Sequence, residues 1–185
     1  MTTDGQGFID AKSELRPCTG RQATLRAYLV QNGADKQPHS GRFLIDHLLG
    51  VQGILRRSKA EEVVCLAGLF HSVYGTAIYK PTLISRDKRV EVQALIGHRA
   101  EEIVWTFGLM PARPHAWEVG LSNKDHSFLE KNFPVEHSTP DQLWLDLLRL
   151  ECANLLEQKS ALHKFPFLAL KAQDVGMLDA DGFCV

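Results

Sequence analysis

The chain has 185 residues, 44% of them apolar, and a formal net charge of −1. That length suits one domain able to bury about two-thirds of its unfolded surface, and the near-neutral balance gives no bulk electrostatic case for nucleic acid or an anionic membrane. No apolar run reaches the roughly 18 residues of a membrane span, and Met1-Thr2-Thr3-Asp4-Gly5 lacks the basic and apolar segments of a signal peptide. Cys18, Cys65, Cys152 and Cys184 show no C-x-x-C spacing. A disulfide framework is not expected, and the predicted setting is the reducing cytoplasm.

Residues 1–18, with Gly5, Gly7 and Pro17, read as an arm ahead of a domain over 19–173. Gln22 to Gln31 is an amphipathic helix ended by Asn32-Gly33, and a polar loop to Gly41 carries His39. Gly41 to Ser58 is the next helix. At about 100° per residue, Arg42, Asp46, Gln52, Arg56 and Arg57 share one side; Phe43, Leu44, Leu48, Val51, Ile54 and Leu55 share the other, with His47 among them. Such a histidine is either a core side chain satisfied by a backbone partner or a ligand.

Glu61 and Glu62 suit the positive end of a helix dipole. The helix they open, through Val63, Val64, Cys65, Leu66, Ala67, Leu69 and Phe70, has no polar face. Such a helix belongs at the centre of a domain, and it delivers His71 before stopping at Ser72-Val73-Tyr74-Gly75-Thr76. His47 and His71 are 24 residues apart, a spacing consistent with two antiparallel helices joined by a short turn. Ala77 to Arg86 reads as an irregular connection, Asp87 to Ile96 as a short helix stopped by Gly97, and His98 to Leu109 as another with Val104, Trp105 and Phe107 inward. Residues 110–138, with three prolines and three histidines, are the least regular part: a cap over a site or a solvated excursion. A short helix is expected around Asp125 to Asn132.

Thr139-Pro140-Asp141-Gln142 is a strong helix start, and the helix runs to about Gln158. Asp146, Arg149, Ala153 and Glu157 gather on one side; Trp144, Leu147, Leu148 and Leu155 lie opposite, with Glu151 in the middle of that apolar side. A carboxylate buried there must be paired with a cation, protonated or bound to metal. Ala161 to Ala172 reads as a last helix with Phe165, Phe167, Leu168 and Leu170, followed by a tail over 174–185. The expected fold is all-α.

The string L-A-G-L-F-H-S-V-Y-G-T over Leu66–Thr76 resembles the second motif of the HD-domain superfamily, in which an apolar helix ends in a metal-binding His-Asp pair. It is also similar to the His-Asp…Glu-Asp-Thr string of the stringent-response guanosine-tetraphosphate hydrolases. Here Ser72 stands where the Asp would be, and Gly75-Thr76 where an acid would precede Thr. A-G-L-F-H-S-x-Y-G-T resembles an HD-like group of unknown function. I-G-H-R-A-E-E-I-V-W-T-F-G and R-L-E-C-A-N-L-L-E-Q resemble, in the right order, the helices that follow in the superfamily, the second presenting the final acidic ligand.

The resemblance implies an HD-like helical bundle that brings together His47, His71 and Glu151 as ligands of one divalent metal, Zn or Fe, with Mn a further candidate. His39 could supply a fourth donor. A dinuclear centre is not expected, because the Ser72 hydroxyl is a poor ligand for hydrolytic metals. Three readings follow. One is a mononuclear-metal hydrolase acting on a small molecule, phosphorylated or not, with Tyr74 and Arg89 (and Tyr79 and Arg86) orienting substrate. The second is a non-haem Fe(II) oxygenase on the same His/His/Glu set. The third is a degenerate HD fold that binds a ligand or partner without catalysis. Arg56-Arg57-Lys59 is too short a basic patch to argue for nucleic acid.

Overall fold

The computed structural model describes residues 20–110, 113–123, 135–159 and 164–178. Over these the chain is all-α: eight α-helices, one 3-10 turn and a single minute hairpin. The helices are α1 (Gly20–Gln31), α2 (Leu44–Arg57), α3 (Glu62–Phe70), α4 (Arg89–Ile96), α5 (His98–Leu109), α6 (Arg113–Asn123), α7 (Pro140–Glu157) and α8 (Pro166–Asp174). The arm expected over 1–18, the helix expected at Asp125 to Asn132, Cys18 and Cys184 lie outside the described residues. Cys65 and Cys152 are free, buried thiols.

As its composition demands, α3 sits at the centre. Every side chain from Val64 to Phe70 is buried, and α2, α5 and α7 pack around it. Gly68 allows the closest approach, since a Cβ there would meet Leu55 Cδ1 at 2.4 Å. The hairpin pairs β1 (Pro38–His39) with β2 (Arg42–Phe43), setting His39 opposite Arg42. Its two-residue turn, Ser40-Gly41, has φ of 46° and 82°, the conformation that matches the twist of paired strands.

Several positions depart from the sequence-based expectation. Gln52, placed on the polar side of α2, is buried and accepts from the Gln22 amide at 2.6 Å. Phe43 is 50% exposed because it ends β2 ahead of the helix instead of lying inside it. Asp146 is buried and takes the Arg99 guanidinium at 2.7 Å. Residues 110–138 contain α6, with Pro114 as its second residue; proline breaks a helix interior but is tolerated in the first turn, where its missing N–H has no intrahelical partner. On α8 only Leu168 and Ala172 are buried. Phe167 and Leu170 are exposed because the helix packs through one edge against α6 and α7. The expected tail begins as a turn that returns Met177 and Leu178 to the core.

Between α3 and α4 the buried residues Ser72–Thr76 lead into a compact irregular segment. The Val73 carbonyl accepts from the N–H groups of Leu83 and Ile84, each at 2.9 Å. Gly75 has φ of +72°, and a Cβ would lie 3.0 Å from the Lys80 carbonyl and 3.2 Å from that of Pro81. Gly33 is also left-handed (φ +91°), but nothing lies within 4 Å of its would-be Cβ. Both Gly→Ala changes carry the left-handed penalty of about 1–2 kcal/mol, and only Gly75→Ala adds collisions with immovable backbone. Urea unfolding should therefore show Gly75→Ala as clearly the more destabilised of the two; equal losses would mean the 75–82 segment yields freely.

Candidate functional site

His47 lies on the inner face of α2 and His71 directly follows α3, so the α2–α3 packing sets their rings edge to face, centroids 4.9 Å apart. The Nε2 atoms are 3.0 Å from each other. Each ring is fixed from behind. His71 Nδ1 donates to the Gly68 carbonyl at 2.8 Å, one of the orphan acceptors at a helix end. His47 Nδ1 lies 2.5 Å from Glu157 Oε2, and the other Glu157 oxygen pairs with Arg42 of the hairpin. Glu157 reaches across because Gly50 of α2 leaves room; a Cβ there would be 2.5 Å from Glu157 Oε1. His39 stacks on His47 at 4.1 Å and 15°, with Tyr79 edge-on to it at 4.8 Å. Phe107 stands edge-on to His71 at 5.5 Å.

Burial favours the neutral rings. It pulls His47 down to about 3, helped by His39 and Arg42, and pulls His71 well below its usual range, helped by His47. His39 is lowered chiefly by burial. Burial raises Glu157, against the opposing pull of Arg42. His71 Nδ1 must hold its proton toward the Gly68 carbonyl; if His47 Nδ1 likewise donates to Glu157, both Nε2 lone pairs point into the same 3.0 Å gap. Two lone pairs cannot share that gap unaided. Either one further proton resides in the Glu157–His47–His71 chain, or a cation sits between the rings.

Glu151 is buried on α7 and its carboxylate faces Arg113, the first residue of α6, with Nε to Oε2 at 3.0 Å. Arg113 also donates to the Phe107 carbonyl at 3.3 Å, its guanidinium 4.0 Å from the Phe107 ring centre. Of the three outcomes open to a carboxylate at this position, ion pairing is the one that the geometry displays. Burial still raises the Glu151 pKa, with Arg113 and the neighbouring Asn154 side chain opposing, and no donor meets Glu151 Oε1 at hydrogen-bond distance and angle. A cavity of about 430 Å³ opens here, walled by His39, Ser72, Thr76, Tyr79, Arg113, Glu151, Asn154 and Phe165.

The structure thus brings His47 and His71 together and sets Glu151 on the adjoining cavity wall, paired with Arg113. The carboxylate against His47 is Glu157, which helical projection assigned to the polar side. Among the described residues, no three His, Cys, Asp or Glu side chains group as a metal cage. Tyr74 and Arg89 lie elsewhere. Arg89 grips Glu101 through both carboxylate oxygens, at 2.8 and 2.7 Å, and stacks on Trp105 at 4.1 Å. Tyr74 is buried edge-on to Trp105, its pKa raised by burial and by Glu101. Tyr74 lines a second cavity of about 270 Å³ with Gly75, Thr76, Lys80, Thr82 and Arg86.

Glu157 and Arg113 are the site residues that the sequence reading missed. The signal for Glu157 was Gly50, a poor helix former inside a strong helix. For Arg113 it was the Arg-Pro step that opens α6.

Residues 28–112 match the model of a family described as a domain of unknown function, DUF6817. The match covers under half of the chain; it holds His39, His47 and His71 and stops short of Arg113 and α7. No curated protein and no solved structure matches the chain.

Two predictions follow from this geometry. Glu151→Leu strands the Arg113 cation and should cost about 3–5 kcal/mol, whereas Glu151→Leu with Arg113→Met should restore most of it; denaturant titration distinguishes them, and a double variant as weak as the single would show the pair is not an isolated unit. The second concerns acid. His47 has a folded-state pKa below its unfolded value of about 6.5, so below that pH the unfolded chain binds more protons. Its contribution is complete above about pH 6.5 and drains away as pH falls toward 3, at up to about 1.4 kcal/mol per pH unit. The raised carboxylates Asp146, Glu151 and Glu157 oppose this, holding protons longer when folded. In chelator-treated protein, His47→Gln should lose less melting temperature than wild type between pH 7 and 5; an unchanged slope would place the sensitivity elsewhere.

Proposed function

We propose that the chain is an HD-like helical domain that binds a small polar molecule in the 430 Å³ cavity beside the His47–His71 pair, without a complete metal cage. The observation that carries this reading is the Glu151–Arg113 ion pair, which occupies the carboxylate that a His/His/Glu set would need. The cavity volume falls in the range of small-molecule sites, and its wall mixes hydroxyl, amide and charged groups with apolar ones. The HD-like assignment is supported by the order of the parts: a histidine on α2, a second ending a buried α3, and a carboxylate on the long α7. No described helix is long and apolar enough to cross a membrane.

A mononuclear-metal hydrolase is the second reading, favoured by one specific observation. The two imidazoles each have Nδ1 engaged and Nε2 turned toward a common point, the backing that metal-ligating histidines receive. His47 and His71 fit as two donors to Zn, Fe or Mn; Glu151 does not fit as a third while Arg113 holds it. Such an ion would supply a bound water of lowered pKa. An Fe(II) oxygenase needs the carboxylate as well and is supported less.

Elemental analysis of the purified protein, with equilibrium dialysis of wild type and His71→Ala against Zn²⁺ and Mn²⁺ and, without oxygen, Fe²⁺, separates the readings. The expected result is no stoichiometric metal in either protein. One equivalent in wild type, lost in His71→Ala, would replace the binding reading with the hydrolase.

A further inference from the structure

Cavity walls in a folded protein leave few buried polar atoms without partners, because each costs about 1–3 kcal/mol. Two side chains that line the 430 Å³ cavity carry such an atom: Glu151 Oε1 and His39 Nδ1. Neither belongs to a flexible surface group. Glu151 is 0% and His39 7% exposed, one held by Arg113 and the other clamped between the His47 and Tyr79 rings. Both side chains are therefore held in place, each with an unpartnered polar atom.

An ionised carboxylate oxygen only accepts. Glu151 Oε1 is thus complementary to an N–H donor and repels an anion's oxygen, while the adjacent Arg113 is already neutralised by Oε2 of the same carboxylate. His39 Nδ1 belongs to a ring kept neutral by burial, which can meet a donor or an acceptor according to tautomer. The rest of the lining includes four ring-bearing residues, Tyr79, Phe165, Pro38 and Pro114.

Building on the cavity-binding reading, we infer that the ligand is a planar nitrogen compound presenting N–H donors, such as an amidine, an aminoheterocycle or a ring amide. Its N–H bonds to Glu151 Oε1, and its plane lies against the aromatic and proline faces.

Benzamidine and 2-aminopyrimidine serve as probes, with benzoate and inorganic phosphate as anionic counterparts. Melting temperature is followed for each, together with amide chemical shifts of Ser72, Thr76 and Asn154 in wild type. The expected result is that both nitrogen probes raise the melting temperature and shift those amides, while benzoate and phosphate do neither. His39→Phe should weaken the nitrogen probes several-fold, and Glu151→Leu/Arg113→Met should abolish their effect. If benzoate or phosphate shifts the cavity amides and the nitrogen probes do not, the donor inference falls while the cavity-binding reading stands. Nitrogen probes that bind undiminished to the double variant also overturn the inference. Should the double variant fail to fold, the wild-type amide shifts and the His39→Phe titration decide. If no compound of either class shifts the cavity amides, the binding reading itself falls.

Discussion

A nine-residue helix with no polar side can exist only where other helices cover it completely, and α3 imposes that condition on the whole chain. α2, α5 and α7 have to close around it, and Gly68 has to be small for α2 to come near enough. The last turn of such a helix leaves carbonyls that solvent cannot reach. His71 answers one of them by turning its Nδ1 back to Gly68, and that hydrogen bond dictates which ring nitrogen looks outward. The chemistry of the site begins as a consequence of ending a buried helix.

The same closure buries an unusual set of carboxylates, each meeting a partner from another part of the chain. Glu101 takes Arg89, Asp146 takes Arg99, Glu151 takes Arg113, and Glu157 takes His47 and Arg42. Glu102 takes the N–H groups of Glu136 and His137 and the Ser138 hydroxyl, fixing the approach to α7. Buried ion pairs add little net stability over apolar replacements. Their geometric demand is strict, however, and four such ion-paired carboxylates together with Glu102 leave few alternative ways of docking α5, α6 and α7. Specific alignment of the cavity walls follows from these contacts more than from the apolar core, which would tolerate sliding.

The helices were legible wherever one face was plainly apolar or a cap was spelled out. α5 has the expected bounds, and Thr139 caps α7 through the Gln142 N–H at 3.3 Å. The inward placement of His47, His71 and Glu151 was readable for the same reason. What stayed hidden depended on distance across helices. Projection places Glu157 on the polar side of α7 because the helix is buried around most of its circumference, Asp146 included, so polar no longer means exposed. Glu151 was correctly placed in the interior, yet nothing in its own helix names Arg113 as its partner. Arg42 was projected onto the polar side of α2 but lies in β2, ahead of the helix; two-residue strands such as those holding His39 and Arg42 are too short to carry a period of their own.

Thr76 belongs to the walls of both cavities. Its hydroxyl accepts the Tyr79 N–H at 2.9 Å, and its own N–H donates to the Tyr79 carbonyl at 2.6 Å, so it moves only with the small loop that it closes. The two chambers therefore meet at a loop closed on itself by a pair of hydrogen bonds, and whatever shifts that loop reshapes a wall of each.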